Sequence, residues 1–208
     1  MNNEDFRRST RDNMNEDLLR SITEGISIAL ASIYAANTVS AGNAANNVKR
    51  EDKNMSRRSI TLGTWNGNPI EWLVLKEEGL ATLVVSRYAL FNHRFDNSSG
   101  IWESSDIRKL LLNDFFNNAF TVNEKRKIIN SKLADTNNTK DYVFLLSKYE
   151  AENLMDAKDR SGSWWFLRTQ KSSSEVWGVM GDGHIGLNDS SVRGNGGIRP
   201  AMWIKEQE

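Results

Sequence analysis

The chain contains no cysteine. Disulfide staples, thiolate metal sites and cysteine nucleophiles are therefore excluded, and either redox environment is tolerated. Histidine is nearly as scarce, with two in 208 residues. His93 and His184 lie far apart, so the inventory for imidazole chemistry is thin. Charge of either sign is not in excess, because 27 Lys and Arg balance 27 Asp and Glu. No global basic field exists to hold nucleic acid or an anionic membrane, and nucleic acid is not an expected partner. Long apolar runs are also missing. The most apolar stretch, 22–36, carries Glu24 and Gly25 and falls short of the roughly 20 residues that span a bilayer. The polar, charged N-terminus does not read as a secretory signal.

What is present, 38% hydrophobic and 26% charged residues, suits one ordinary domain with an appendage. Residues 1–16 alternate charges with Asn and are expected to be disordered. Over 17–36, Leu19, Ile22, Ile26, Ala29 and Ile33 form one narrow apolar seam on a helix. That seam serves either homo-oligomerisation or packing on the chain's own domain. Residues 37–59 are small, polar and aperiodic and read as a linker.

The domain proper is expected over 60–208. Residues 69–76 and 80–87 read as strands, with Ile70, Trp72 and Val74 on one face. A hairpin turn at Glu77-Glu78-Gly79 places Gly where positive φ is needed. Residues 88–100 read as a loop whose Asp96-Asn97-Ser98-Ser99-Gly100 lacks the spaced carboxylates of a cation loop. A helix capped by Ser104 or Ser105 buries Ile107, Leu110, Leu111 and Phe115. A second opens on a Thr121/Glu124 capping box and runs through Ile128 and Ile129. Residues 142–146 read as a buried strand. Ser147 and Glu150 form another capping box, opening a short helix to Met155, and 156–163 are a loop. Helices and strands are segregated, so the fold class is α+β with a mainly antiparallel sheet.

The stretch 164–204 carries the functional signal. Two aromatic and β-branched anchors, 164–168 and 198–204, read as core strands. Between them lies a polar run of loops with a short hairpin at Gly181-Asp182-Gly183. A rigid frame presenting an adaptable polar loop surface is the pattern of a binding module. Trp177 supplies flat, rigid area; Asp182, His184, Asn188, Asp189, Ser190, Arg193 and Asn195 supply short polar contacts. Trp177 reads equally as a core aromatic. Of Trp164 and Trp165, on opposite faces of one strand, at least one is core. Arg199 and Arg168 read as orienting backbone carbonyls or carboxylates, and Arg108 with Asp106 as a local pair. The GDGHIG string at 181–186 precedes residues that cannot start a helix, so it is no dinucleotide site. His184 with Asp182 and Asp189 is the one cluster for an enzymatic or metal reading. No cofactor and no metal is assigned.

Six motifs, P-I-E-W-x-V-L at 69–75, W-x-x-S-D-I-R-x-x-L at 102–111, N-x-x-F-x-x-A-F at 113–120, V-F-L-L-S-x-x-E-A at 143–151, W-W-x-L-R at 164–168 and G-I-R-P-A-x-W at 197–203, occur in order. Together they resemble the bacterial domain-of-unknown-function 6273 family, over roughly 65–205. The resemblance implies a C-type-lectin-like fold, similar to the variable proteins of diversity-generating retroelements. It implies that the first and last strands pair near Trp72 and Trp203. It also implies two helices packed on that sheet and a long C-terminal loop region that binds ligand. Ser172, Ser173, Ser174 and the polar residues of 182–195 fit positions that adenine mutagenesis can diversify, whereas Lys171, Glu175, Trp177 and Met180 would have to be fixed.

The reading is a non-enzymatic ligand- or receptor-binding protein, with a protein or glycan as ligand and the 17–36 helix as tether or oligomeriser. It would reside in the cytoplasm or a phage virion. The alternatives are a structural or assembly protein and an enzyme centred on His184.

Overall fold

The computed structural model describes residues 57–186 and 191–205. The expectations for 1–16, for the 17–36 helix and for the linker as far as residue 56 lie outside them, as do Asn188, Asp189 and Ser190. The described part is α+β with mainly antiparallel sheets. None of its helices is long and apolar enough to cross a membrane.

Strand β1 (Ser59–Trp65) is an addition to the expected strands. It forms a hairpin with β2 (Asn68–Glu78). The hairpin turns at Asn66 and Gly67, with φ of 50° and 80°, the left-handed pair that such a two-residue turn demands. β3 (Ala81–Ser86) follows through Gly79, whose φ is 60° as expected, although β2 runs on through Glu77 and Glu78. β12 (Ala201–Lys205) lies against β3, and β5 (Ile128–Ile129) against β12, giving the order β1-β2-β3-β12-β5. Trp203 stands opposite Leu83 and Ile129, and Trp72 opposite Ile60 and Ser86. Direct pairing of the Trp72 and Trp203 strands is therefore corrected: β3 separates them. Both edges of β2 are taken by its own hairpins, so the last strand docks on the outer edge of β3.

Ser105 caps the first helix, its Oγ accepting the Arg108 N–H at 3.3 Å. This helix, α1, covers 106–119 as an α turn Asp106–Leu110, a π turn Leu111–Phe115 and an α turn Phe116–Ala119. Ile107, Leu111 and Phe115, four apart, are buried as expected; Leu110 is half-buried. The Thr121/Glu124 capping box forms, but α2 (Val122–Lys125) is one turn. Ile128 and Ile129 leave it as β5. Two β-branched residues fit a ladder against Trp203 and Ile204 better than a helix with no further face to bury. Glu124 also accepts the Gly63 N–H through Oε1 at 2.9 Å, pinning β1 to α2. Partial burial pushes its carboxyl up, but the hydrogen bonds from Thr121 and Gly63 outweigh this and hold it below its ordinary value.

A second sheet has the order β10 (Ile185–Gly186), β9 (Glu175–Val179), β8 (Trp165–Ser172), β11 (Asn195–Ile198), β4 (Phe91–Arg94). The loop expected over 88–100 holds at 88–90 and 95–100, and β4 corrects it over Phe91–Arg94, an edge strand whose partner, Asn195–Ile198, lies a hundred residues on. The β11–β8 pairing is parallel. The anchor expected over 198–204 is two strands, not one. At Arg199-Pro200 the chain leaves the second sheet for the first, because Pro200 has no N–H to continue a ladder. Arg199 acts as expected on backbone carbonyls. Its Nε donates to Ser86 O at 2.9 Å and Nη1 to Asp159 O at 3.0 Å, with the guanidinium 4.7 Å over the Trp165 ring. Burial pushes its pKa down to about 10. Trp165 is fully buried and Trp164 half-buried over Gly196, where an added Cβ would lie 1.7 Å from the ring.

Of the buried strand expected over 142–146, residues 143–146 are buried while Tyr142 is exposed, and they are no strand of a sheet. Phe144 makes an isolated bridge to Ala201, and Leu146 O accepts the Arg168 N–H at 2.9 Å, so the segment runs between the two sheets. The Ser147/Glu150 box opens α3 (Lys148–Leu154), and the loop expected over 156–163 contains a further turn, α4 (Ala157–Arg160). β6 (Ser131–Lys132) and β7 (Lys140–Asp141) form a small separate ribbon.

The contact between β1 and the end of α1 is generated by one glycine. Gly63 has φ of 72°, and a Cβ there would meet Ala119 O at 2.6 Å and the Phe120 ring at 2.7 Å. Gly63→Ala should therefore lower unfolding stability by about 3 kcal/mol, combining left-handed strain with overpacking. Gly67→Ala, with open space around it, should cost only about 1 kcal/mol. Urea denaturation midpoints check the contrast.

Candidate functional site

Arg168, in the middle of β8, is buried and ties three other residues to the strand through its guanidinium. Its Nε and Nη2 donate to Asp135 Oδ1 at 2.9 and 2.6 Å. Its Nη1 donates to Leu145 O and to Glu150 Oε2, each at 2.6 Å. The guanidinium also sits 5.4 Å from the Phe144 ring centroid. Burial alone would lower its pKa, but the Glu150 and Asp135 carboxylates outweigh burial and raise it, so the group is a permanent cation. Glu150 Oε2 also accepts the Ser147 N–H at 2.7 Å. One carboxylate thus caps α3 and fixes Arg168.

A second cluster stands beside it. Asp141 is fully buried and accepts from Trp102 Nε1 at 2.8 Å, Arg108 Nη2 at 2.6 Å and Thr139 Oγ1 at 3.2 Å. The expected Arg108–Asp106 pair is corrected here. Asp106 instead receives Arg94 and Lys109 near the surface, while Arg108 turns inward to a carboxylate that would otherwise be buried uncompensated.

Between these clusters lies a recess of about 380 Å³, lined by Ile101, Trp102, Glu103, Asp135, Thr136, Asn137, Arg168 and Gln170. Two turns form its rim. Glu103 Oε1 accepts the Asn137 N–H at 2.5 Å, tying the Trp102–Ser104 turn to the loop at 133–139. The adjacent Asn138 has φ of 58°, a left-handed conformation that Asn tolerates. The Gly100 N–H donates to Ser173 O at 3.0 Å, so the 173–174 turn of the β8–β9 hairpin braces the Ile101 side. Nearby, Asp96 accepts from the Ser98 and Ser99 N–H groups at 2.8 and 2.9 Å and from the Asp106 N–H at 3.2 Å. Partial burial would raise the Asp96 carboxyl, but these hydrogen bonds hold it below its ordinary value.

The residues expected to bind ligand are spread around the second sheet. Trp177, on β9, is half-buried, and the Lys148 ammonium lies 4.4 Å from its ring centroid. Asp182 and His184 are exposed at the β9–β10 turn, where Asp182 Oδ1 accepts the His184 N–H at 2.9 Å. That turn is held by α4 and the residues after it: Arg160 Nε donates to Gly183 O at 2.9 Å and the Gly162 N–H to Gly181 O at 2.8 Å. Arg193, exposed, donates through Nε to Asn97 O at 2.7 Å. Asn195, also exposed, is paired with Arg94 across β11 and β4. Among these five residues the only mutual hydrogen bond is the local one between Asp182 and His184. Among the described residues no three His, Asp or Glu side chains are grouped to hold a metal ion.

Glu103, Asp135, Thr136, Asn137 and Gln170 were not among the expected site residues. The signal available for three of them was the polar turn-forming string Asp135-Thr136-Asn137-Asn138. Nothing local links it to Glu103 or Gln170, because the recess is assembled from three separate segments.

Residues 71–206 match the family described as Domain of unknown function (DUF6273). No curated protein and no solved structure matches the chain.

Replacing Arg168 by Met would strand Asp135 and Glu150 against a buried wall. It should lower stability by on the order of 3 kcal/mol, and Lys should not restore it, since a point charge cannot reach both carboxylates and Leu145 O in fork geometry. Thermal unfolding of the three proteins tests this. The depressed carboxyl of Asp96 contributes stability that is fully present above its ordinary value of 3.8 and is lost as pH falls through the folded-state value. Asp96→Asn should therefore lose stability at neutral pH and flatten the acid limb of a stability–pH curve below pH 4.

Proposed function

The chain belongs to the DUF6273 family, and from that premise we propose that it is a non-enzymatic binding module for a hydroxyl-rich neutral ligand, such as a sugar residue of a glycan. The recess between the Arg168 and Asp141 clusters is the binding site in this reading. The observation that carries it is the preset polar lining. Carboxylates at Glu103 and Asp135, amides at Asn137 and Gln170 and the Thr136 hydroxyl converge beside the apolar Ile101. Such a set offers donors and acceptors to hydroxyl groups and one apolar wall. The one cation, Arg168, is already neutralised by two carboxylates, which disfavours an anionic ligand.

The same reading keeps the C-type-lectin-like architecture. Its support is that the third strand, β3, pairs with the last strand, β12, while a second sheet carries the C-terminal loops. In the retroelement version, residues 171–195 would form the recognition surface. The exposure of Asp182, His184, Arg193 and Asn195 supports that version. So does the framework role of the residues that would be fixed: Lys171 is ion-paired to Glu175 at 3.1 Å, and Trp177 is covered by Lys148.

A glycan array probed with the full chain and with an Asn137→Ala/Gln170→Ala variant tests the site. Captured glycans should be lost by the variant at an unchanged melting temperature, because both side chains lie on the rim. Loss on Asp182→Ala/His184→Ala instead would move the site to the hairpin. Capture of no glycan by the parent, with self-association in sedimentation, would replace the proposal by the assembly reading.

A further inference from the structure

The first sheet carries a recess of its own, remote from the Arg168 site. Arg58, Ile60, Thr61 and Leu62 of the β1 region, Thr82 of β3, Lys127, and Ile204 and Lys205 of β12 surround a volume of about 300 Å³. Residues from both ends of a five-stranded order meet there, so the sheet curls and its two edges face each other across Thr82. The lining has two chemistries. Ile60, Leu62 and Ile204 are half-buried and supply an apolar floor. Arg58, Lys127 and Lys205 supply cations, and among the described residues no acid lines it.

Among the described residues, the acids that interact with these cations are engaged elsewhere or reach only one of them. Arg58 is ion-paired with Glu77. Glu124, whose carboxyl feels the Lys127 charge, directs Oε1 to the Gly63 N–H and Oε2 to Thr121. Among the described residues Lys127 and Lys205 make no ion pair; they are linked only through the Lys205 N–H and Lys127 O at 2.8 Å. A second, independent observation points the same way. Thr82 is 2% exposed, and its Oγ1 is buried with no hydrogen-bond partner among the described residues. A buried hydroxyl left unpaired costs stability; Thr82 lines the recess, and a change of its χ1 rotamer would turn Oγ1 toward it.

We propose that this recess binds a single-chain anionic amphiphile, an alkyl carboxylate of medium length. Its tail would lie on Ile60, Leu62 and Ile204, and its head group would take the charges of Lys127 and Lys205 and a hydrogen bond from Thr82 Oγ1, turned toward the recess on binding. The volume lies at the small end of small-molecule sites, which suits one short chain rather than a two-chain lipid. The site stands independently of the glycan reading, since it shares no residue with the Arg168 recess.

The probe is decanoate below its micellar concentration, titrated calorimetrically into the full chain, with decanol as the uncharged control. Decanoate should bind and decanol should bind at least tenfold more weakly. Lys127→Gln/Lys205→Gln should weaken decanoate roughly tenfold with an unchanged circular dichroism spectrum. Thr82→Val should weaken it several-fold while raising the melting temperature of the ligand-free protein. Asn137→Ala/Gln170→Ala should leave decanoate binding intact, which separates this site from the other recess. Absence of decanoate binding at millimolar concentration, equal affinity for decanol, or full affinity in the double Gln variant would each overturn the proposal. If the double variant fails to fold, the Thr82→Val affinity decides.

Discussion

The buried guanidinium of Arg168 is the constraint around which one half of the domain is arranged. A permanent cation inside a protein must be answered on every side. The answers come from the loop at Asp135, the helix cap at Glu150 and the backbone at Leu145. Asp135 lies on one loop and Leu145 and Glu150 on the stretch that enters α3, so satisfying one side chain fixes two pieces of chain relative to β8. The 133–139 loop is then held where Asn137 can meet Glu103, and the recess exists because that closure leaves space between loop and sheet.

The two sheets are joined by equally specific means. The chain passes from β11 to β12 at Arg199-Pro200, and Arg199 binds carbonyls on either side of that step while stacking on Trp165. Residues 143–146 fill the gap with apolar side chains and bridge β12 and β8 through their backbone. Around this seam the aromatic contacts form two groups. Trp65, Phe91, Phe115 and Phe120 pack against the first sheet and α1, and Phe95, Trp102, Trp164 and Phe166 against the second. The polar surfaces that could meet a ligand are outgrowths of this frame.

Much of the local structure was legible. The caps at Ser105, Thr121 and Ser147, the positive φ at Gly79, the buried spacing Ile107-Leu111-Phe115 and the carbonyl-binding role of Arg199 all follow from short-range patterns. The Asn66-Gly67 turn carried the signal for β1 as well, in two adjacent residues. What was not legible has one cause. Ile128-Ile129 as strand, Phe91–Arg94 as an edge and 143–146 as a bridging segment depend on partners more than 20 residues away. The inward turn of Arg108 to Asp141 is of the same kind.

The amino-acid sequence by itself determined the α+β class, the absence of thiol chemistry, the positions of caps and tight turns, and the apolar anchors that had to be buried. These follow from the chemistry of neighbours a few residues apart. Only the tertiary structure decided which strand the C-terminal strand joins, which carboxylate each buried arginine finds, and where polar side chains converge into a recess. Those choices belong to contacts between distant segments, whose geometry arises only when two curled sheets close on one another.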